Sequence, residues 1–237
     1  MAHLSVNINK IALLRNSRGS NLPDLVQTAI DIESFGAQGI TVHPRPDQRH
    51  IRYDDVPALR AVVTTEFNIE GKPGKGFLEL VLANPPHQCT LVPDAENQLT
   101  SDHGWDTVHQ QTELREVVQE LHKKGIRVSV FVDPDAKMVE GAKLAGADRV
   151  EFYTGPFAHD FKEDPFEAVR AYTEAAHVAN EIGIGINAGH DLNLENLHFF
   201  KTHCPKLLEV SIGHALIADA LYYGLENTIR MYLRQLQ

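Results

Sequence analysis

The chain has 237 residues, of which 43% are hydrophobic and 23% charged, and its formal net charge at pH 7 is −10. This composition is typical of a soluble globular protein and excludes a disordered or collagen-like chain. The 32 acidic residues outnumber the 22 Lys and Arg, whereas nucleic-acid binding needs a basic face that contacts many phosphates. We therefore expect no nucleic-acid partner, although small anionic ligands held at local sites fit this charge.

The cysteines and the apolar segments indicate the compartment. Cys89 and Cys204 are too few for a disulfide scaffold and lack the C-x-x-C spacing of a structural zinc site. The first residues show neither the basic region nor the apolar segment of a signal peptide, and no later run approaches the roughly 18 apolar residues of a membrane span. We expect a cytoplasmic protein without membrane contact.

Eight short runs rich in apolar residues predict β-strands. Nearly all of them are continuous enough in apolar character to be buried on both faces, as parallel strands are. The predicted strands are Leu4–Ile8, Gly39–Val42, Glu66–Ile69, Gln88–Val92, Arg127–Val132, Arg149–Tyr153, Gly183–Asn187 and Leu208–Ile212.

The segments between these runs show the apolar periodicity and the terminal prolines and glycines of helices. Eight strands alternating with helices predict a closed (β/α)₈ barrel, a TIM barrel, in one domain over residues 1–237. The alternative, a doubly wound open sheet, usually has five or six strands. The clearest helices are expected over about Pro23–Gly36, Thr107–Lys124, Asp164–Ile182 and, as one or two helices, His214–Gln237.

Ionisable side chains directly follow several of the predicted strands. His43, Glu70, His190 and His214 stand at or just beyond the ends of four predicted strands, and Glu151 stands near the end of a fifth. A structural role is the simpler explanation for any one of them. In a barrel, however, these ends meet on one face, so together the five predict acid and base groups that converge in one pocket.

Two similar segments predict a phosphate site. Asn187-Ala188-Gly189-His190 follows strand 7, and Ser211-Ile212-Gly213-His214 follows strand 8. Small residues let backbone N–H groups approach a ligand, and a helix that begins at His214 would direct its positive end toward it. Glycines that merely turn the chain would give the same pattern.

Arginines in the first third of the chain predict a second anion site. Arg45 stands between Pro44 and Pro46, which would stiffen its loop, and its guanidinium can bind two phosphate oxygens at once. Surface solubility accounts equally well for Arg15 and Arg49.

Other ligand motifs are missing from the sequence. The 13 histidines form neither an H-x-H pair at a strand end nor an H-E-x-x-H helix, so no metal site is expected. The glycine-rich segment Gly71–Gly76 lacks the P-loop spacing, and the glycines at 183, 185 and 189 lack the dinucleotide spacing. A Schiff-base aldolase would need a strand-end lysine where Glu151 stands.

A set of motifs occurs in a fixed order along essentially the whole chain. They are Val6-Asn7-Ile8-Asn9-Lys10-Ile11-Ala12, Leu14-Arg15-Asn16-Ser17-Arg18-Gly19, Gly39-Ile40-Thr41-Val42-His43-Pro44-Arg45, Arg49-His50-Ile51, Asn68-Ile69-Glu70, Leu91-Val92-Pro93, Thr154-Gly155, Asn187-Ala188-Gly189-His190 and Ile212-Gly213-His214-Ala215. Each motif alone is weak, but the ordered set resembles the pyridoxine 5'-phosphate synthase family of vitamin B6 synthesis.

The resemblance implies a reaction and catalytic residues. The family condenses 3-amino-2-oxopropyl phosphate with 1-deoxy-D-xylulose 5-phosphate to pyridoxine 5'-phosphate, phosphate and water, without a metal or an organic cofactor. His43 and Glu70 then correspond to general acid/base groups, His190 to the proton donor and Glu151 to the group that stabilises charged intermediates. The family fold is a barrel with extra helices, assembled as a homo-octamer.

The resemblance also implies substrate-binding residues. Positions that hold the amino-ketone phosphate are Asn7, Arg18, the backbone after His190, Gly213 and His214, and positions that hold the deoxyxylulose phosphate are Asn9, Lys10, Arg45, His50 and Thr100. Asp191 is a further substrate-binding candidate, because it follows His190. The chain departs from the family at Asn9-Lys10, where Asp-His is frequent, at Asp191, where glycine is common, and at Ser211, where asparagine is frequent.

Two other functions remain open from the sequence. A sugar-phosphate isomerase or epimerase on the same barrel would need only one phosphate site. A catalytically silent phosphate-binding barrel would use the strand-end histidines structurally, and it would have no reason to keep His43, Glu70 and His190 together.

Overall fold

The computed structural model describes residues 2–95 and 98–237. Within them, eight parallel strands close into a barrel in which each strand pairs with the next and the last pairs with the first. The prediction of a (β/α)₈ barrel is confirmed. The strands are β1 (His3–Asn7), β2 (Gly39–Val42), β3 (Glu66–Gly71), β4 (Gln88–Leu91), β5 (Arg127–Val132), β6 (Arg149–Tyr153), β7 (Gly185–Gly189) and β8 (Leu207–Ile212).

Helices connect the strands, and some connections hold more than one helix, as in a barrel with extra helices. Two helices lie between β1 and β2, two between β6 and β7, and two after β8 in the described residues. The helices are α1 (Asn9–Asn16), α2 (Leu25–Ser34), α3 (Asp55–Val62), α4 (Lys75–Ala83), α5 (Gln111–His122), α6 (Ala136–Ala145), α7 (Gly155–Asp160), α8 (Pro165–Ile182), α9 (Leu197–His203), α10 (His214–Tyr223) and α11 (Leu225–Gln235).

The helix α8 has the predicted bounds, and its ends show why. The side chain of Asp164 accepts hydrogen bonds from the N–H groups of Phe166 and Glu167, and Pro165 occupies the first turn. Gly183 ends the helix with a φ of 68°, a conformation that glycine adopts without strain. The predicted start of strand 7 at Gly183 is therefore wrong, because this residue caps α8 and β7 begins two residues later.

The helix α1 was not predicted. β1 ends at Asn7, and α1 begins at Asn9, so the apolar residue Ile8 caps a helix instead of extending the strand. Apolar periodicity could not separate a strand from a helix that follows it after one residue. This early turn places Asn9 and Lys10 directly at the end of the barrel.

The strands are buried on both faces, as predicted, but their two faces differ in polarity. Outward side chains such as Val6, Ile40 and Phe67 are fully buried in the apolar core. Inward side chains are polar and bond to one another across the lumen. The amide of Asn187 on β7 donates to Gln88 on β4 at 3.2 Å. The interior is thus a hydrogen-bonded polar core in place of the aliphatic layers usual in this fold.

The lower end of the barrel holds compensated charges. Arg149 Nη1 lies 3.7 Å from Glu209 Oε2, and Arg127 pairs with Glu66. Glu209 is only 2% exposed, and burial and then its contact with Glu66 raise the pKa of its carboxyl group well above the usual value, against the lowering effect of Arg149. These pairs close the end opposite the strand-end residues. None of the helices in residues 2–95 and 98–237 has the length and apolar character that a bilayer crossing requires.

Candidate active site

A cavity of about 530 Å³ opens at the carboxyl ends of the strands. Every predicted site residue except Glu151 and Arg18 lines it. The lining residues are Asn7, Asn9, Lys10, Leu13, His43, Arg45, Arg49, His50, Glu70, Leu99, Thr100, Ser101, His190, Asp191, Ser211, Ile212, Gly213, His214 and Ala215.

His43 and Glu70 form the buried centre of the pocket, at the ends of β2 and β3. His43 Nδ1 lies 3.9 Å from Glu70 Oε2, and the two residues are 6% and 3% exposed. Asn7 Nδ2 donates to Glu70 Oε2 at 3.4 Å, and Ser211 Oγ donates to Oε1 at 3.5 Å. Side chains of β1 and β8 thus contact both oxygens of this carboxyl group from across the barrel.

Burial changes the protonation of both groups. The pKa of His43 lies well below its usual value, because burial and then the positive charge of Arg45 disfavour the imidazolium form. The pKa of Glu70 lies well above its usual value, because burial and then the charge of Glu151 disfavour the carboxylate. Both shifts favour the uncharged forms, an imidazole beside a carboxylic acid.

Glu151 lies in the barrel lumen beneath the pocket and is 1% exposed. Burial raises its pKa to about 7, against the lowering effect of the Thr90 hydroxyl, which donates to Oε2 at 3.5 Å. A side chain at Gly189 would collide with Glu151, because its Cβ would lie 2.4 Å from Oε1. The glycine of the Asn187-Ala188-Gly189-His190 motif therefore makes room for this carboxyl group.

His190 follows β7 and is set in an aromatic wall. Its ring centroid lies 5.0 Å from that of Phe131 and 5.8 Å from that of Tyr153. Burial lowers its pKa, so the neutral imidazole is favoured. Its backbone φ is 77° and that of Asp191 is 57°, a conformation that residues other than glycine rarely adopt.

The cationic wall of the pocket comes from the segment after β2. Arg45 is 5% exposed and pairs with Asp94, which also accepts a hydrogen bond from the Ser101 hydroxyl at 2.8 Å. Arg49 Nη2 donates to the carbonyl oxygens of Gln98 and Leu99 at 2.7 and 2.8 Å. The two guanidinium groups thereby hold the segment that carries Thr100 against the pocket.

His50 and Asn9 are held by backbone contacts. His50 Nδ1 accepts a hydrogen bond from the Ile51 N–H at 2.9 Å, so the neutral ring carries its proton on Nε2. Burial and the charges of Arg45 and Arg49 lower its pKa to about 4. Asn9 Oδ1 accepts from the His43 N–H at 3.0 Å, so this amide positions the backbone just after β2.

The start of α10 forms the opposite wall. Gly213 caps the helix, and His214 and Ala215, its first residues, line the pocket. A Cβ at Gly213 would lie 3.2 Å from Asn7 Cβ, closer than most such contacts. The predicted helix start at His214 is confirmed, and its positive end can attract an anion.

Arg15 and Arg18, two arginines in the first third of the chain, lie in different environments. Arg15, for which solubility was an open explanation, is 3% exposed, and its guanidinium donates to both carboxylate oxygens of Asp55 at 2.6 and 2.9 Å. It also donates to the His50 carbonyl oxygen at 3.3 Å, so it supports the pocket from behind. Arg18 is exposed and does not line the cavity of its own chain.

Several lining residues carried no sequence signal of their own. Ser101 and Leu99 lie in a long connection without periodicity, and Ser211 is one of many small residues near strand ends. Arg49 could have been found from its place in the Pro-rich segment beside Arg45. Asp94 is a pocket residue only through its pairing with Arg45, which no spacing reveals. In the described residues no group of three or more His, Cys, Asp or Glu is arranged to hold a metal ion.

Residues 4–237 match the model of a protein family described as "Pyridoxal phosphate biosynthesis protein PdxJ". The chain belongs to this family. Members of the PdxJ family named pyridoxine 5'-phosphate synthase are closely similar. The chain is 58% identical over 237 residues to that of Flavobacterium johnsoniae and 60% identical over 237 residues to that of Cytophaga hutchinsonii, with 100% of each chain covered. That of Bacteroides fragilis is 60% identical over 232 residues, 98% of each chain.

Solved structures outside the PdxJ family share its barrel. A thiamine phosphate pyrophosphorylase from Pyrococcus furiosus superposes with a TM-score of 0.65 at 11% identity, covering 99% of this chain and 95% of that chain. At this identity the likeness concerns the fold alone.

Proposed function

We propose that the protein is a pyridoxine 5'-phosphate synthase that condenses 3-amino-2-oxopropyl phosphate with 1-deoxy-D-xylulose 5-phosphate. The products are pyridoxine 5'-phosphate, inorganic phosphate and water. The observation that carries the proposal is the convergence of His43, Glu70 and His190 in one buried pocket of a PdxJ family member. No metal or organic cofactor is part of the proposal.

The protonation states that burial favours in the pocket suit this chemistry. Imine formation, dehydration, phosphate loss and ring closure each need a proton added or removed. A neutral His43 can accept a proton and a protonated Glu70 can supply one, and both then return to their starting states in a later step. The two groups are close enough to act on one substrate, since Nδ1 and Oε2 are 3.9 Å apart.

His190 and Glu151 complete the proposed catalytic set. His190 faces His43 across the pocket from β7 and is the proposed proton donor. Glu151 lies beneath them with a pKa of about 7, so it can take up or release charge as cationic intermediates form above it. Its burial makes any such electrostatic contribution stronger than in water.

Two substrate phosphates require two anion sites, and the pocket has two walls that suit them. Asn7, Gly213, His214 and the backbone after His190 are proposed to hold the amino-ketone phosphate at the positive end of α10. Asn9, Lys10, Arg45, His50 and Thr100 are proposed to hold the deoxyxylulose phosphate. Asp191 lines the same pocket and is proposed as a further substrate contact, whose carboxylate would pair with the substrate amine rather than with a phosphate.

The oligomeric state, the compartment and the ligands of the protein are proposed from its resemblance to the family. A homo-octamer in the cytoplasm is expected, with small phosphorylated substrates as its only ligands and no nucleic-acid or membrane partner. Because Arg18 is exposed outside the pocket of its own chain, a contribution to phosphate binding would have to reach a neighbouring copy.

The test is to supply purified protein with both phosphorylated substrates and to follow inorganic phosphate together with the pyridoxine phosphate chromophore. Each substrate alone is the control. Joint appearance of both products only in the full mixture supports the condensation. Conversion of a single substrate would identify an isomerase or epimerase, and binding without turnover would identify a silent phosphate-binding barrel.

A further inference from the structure

Thr154 joins the end of β6 to the segment that carries His190. Its side chain is fully buried, and it lies directly after Tyr153, the last residue of the strand. The Thr154 N–H donates to the Gly189 carbonyl oxygen at 3.0 Å, and its hydroxyl contacts the same oxygen at 2.7 Å. The hydroxyl also contacts the carbonyl oxygen of His190. One hydroxyl proton therefore serves two adjacent carbonyl groups.

These contacts extend beyond what the barrel itself requires. The ladder between β6 and β7 ends with the pair Tyr153 and Gly189. If Thr154 only helped to close the barrel, the hydrogen bond from its N–H to the Gly189 carbonyl oxygen would be sufficient. The hydroxyl adds a contact one residue later, at His190 itself.

The segment held by this hydroxyl has an unfavourable backbone conformation. His190 and Asp191 have φ values of 77° and 57° in succession, although neither is glycine. Such conformations persist only where surrounding contacts fix them, and they are frequent where a side chain must be aimed. Among those contacts, the Thr154 hydroxyl reaches the carbonyl group of His190 directly.

The neighbours of Thr154 fix the ring of His190 as well. A Cβ at Gly155 would lie 2.2 Å from Tyr153 Oη and 2.3 Å from Cζ. The tyrosine ring therefore occupies the space that a side chain at residue 155 would fill. That ring lies edge-on to His190 at 5.8 Å between centroids. The Thr154-Gly155 motif thus controls both the backbone and the ring of one histidine.

We propose that Thr154 is a positioning residue that aims the His190 imidazole into the pocket through its hydroxyl. The inference rests on the proposed function for the role of His190, but the contact itself can be tested without turnover. Thr154 does not line the pocket, so its effect on the reaction acts through the segment that carries His190.

The experiment compares Thr154→Val, which removes the hydroxyl at nearly constant volume, with Thr154→Ser, which keeps it. Thr107→Val is the matched control, because Thr107 is also fully buried and its hydroxyl donates to a carbonyl oxygen, that of Met138, at 2.7 Å far from the pocket. We expect Thr154→Val to lower kcat by roughly 10- to 100-fold with KM changed less than about threefold, because small displacements of a reacting group have large kinetic effects. Thr154→Ser should restore kcat to within about threefold of the unchanged protein, and Thr107→Val should not alter it.

A second measurement separates this inference from the proposed function. Amide hydrogen exchange of residues 190–192 and the titration of the His190 ring, both followed by NMR, need no turnover. We expect faster exchange and a shifted His190 titration in Thr154→Val only. If the unchanged protein makes no pyridoxine phosphate, the proposed function fails, and these two readouts alone decide the positioning role. Unchanged exchange and titration, a kcat within twofold of the unchanged protein, or a Ser variant as impaired as the Val variant would overturn it.

Discussion

The Nδ1 atom of His43 lies 3.9 Å from Glu70 Oε2, and burial moves the pKa values of these two groups in opposite directions. An exposed pair of this kind would be an imidazolium beside a carboxylate. In the pocket the nearby Arg45 and Glu151 each oppose the charge of the group they approach. Both shifts favour the uncharged form of each group.

Replacing His43 with alanine should lower turnover by roughly 10²–10⁴-fold, the range found for positioned general acid/base groups. The measurement is kcat in the two-substrate assay. His109→Ala is the control, because the side chain of His109 is 82% exposed on the surface. Activity of the His43 variant within a few-fold of the unchanged protein would remove this histidine from the mechanism.

Replacing Arg45 with lysine should raise the KM for deoxyxylulose phosphate by roughly 10- to 100-fold, since a guanidinium fork is exchanged for a point charge. The buried contact with Asp94 would be weakened as well. Saturation curves for each substrate provide the measurement, with Arg230→Lys, a surface residue 60% exposed, as the control. An unchanged KM would place the phosphate elsewhere in the pocket.

Replacing Gly213 with alanine should weaken binding of the amino-ketone phosphate by about tenfold, because the new methyl group would press on Asn7 at 3.2 Å and shift the start of α10. Inorganic phosphate titrated by calorimetry gives the affinity directly. Gly76→Ala is a close control, since a methyl group there would meet open space. Equal phosphate affinity in both variants would contradict an anion site at α10.

The contribution of Glu151 to the unfolding free energy should fall as the pH rises from about 4.5 to about 7, because its pKa is about 7 in the folded protein against 4.5 when unfolded. Across this window the folded state keeps a proton that the unfolded state has released, so stability present below pH 4.5 is lost by pH 7. The loss amounts to roughly 3 kcal/mol at most.

Glu151→Gln removes this titration, so the unfolding free energy of the variant relative to that of the unchanged protein should rise between pH 5 and pH 8. Urea denaturation at both pH values measures the difference. Exposed Glu226→Gln is the control and should keep the full pH dependence. Parallel pH dependence in the Glu151 variant and the unchanged protein would show that Glu151 titrates normally.

Local patterns in the sequence determined most of the fold. β2, β5 and β6 have the predicted bounds, because runs of β-branched residues end at clear turns. α8 has its predicted bounds because Asp164 and Gly183 cap it by local contacts. The residues that line the pocket could also be predicted from their positions in the sequence, since residues after parallel strands must meet at one end of a closed barrel.

Contacts between residues far apart in the sequence determined the features that local patterns could not predict. The polar lumen depends on which face of each strand turns inward, and barrel closure sets this through pairs such as Asn187 with Gln88. The raised pKa of Glu70 depends on burial beside Glu151, and the aim of His190 depends on Thr154 from the neighbouring strand. Such effects arise only after side chains far apart in sequence lose water together. The sequence by itself therefore determined which residues stand at the strand ends, and the tertiary structure decided their charge, their orientation and what supports them.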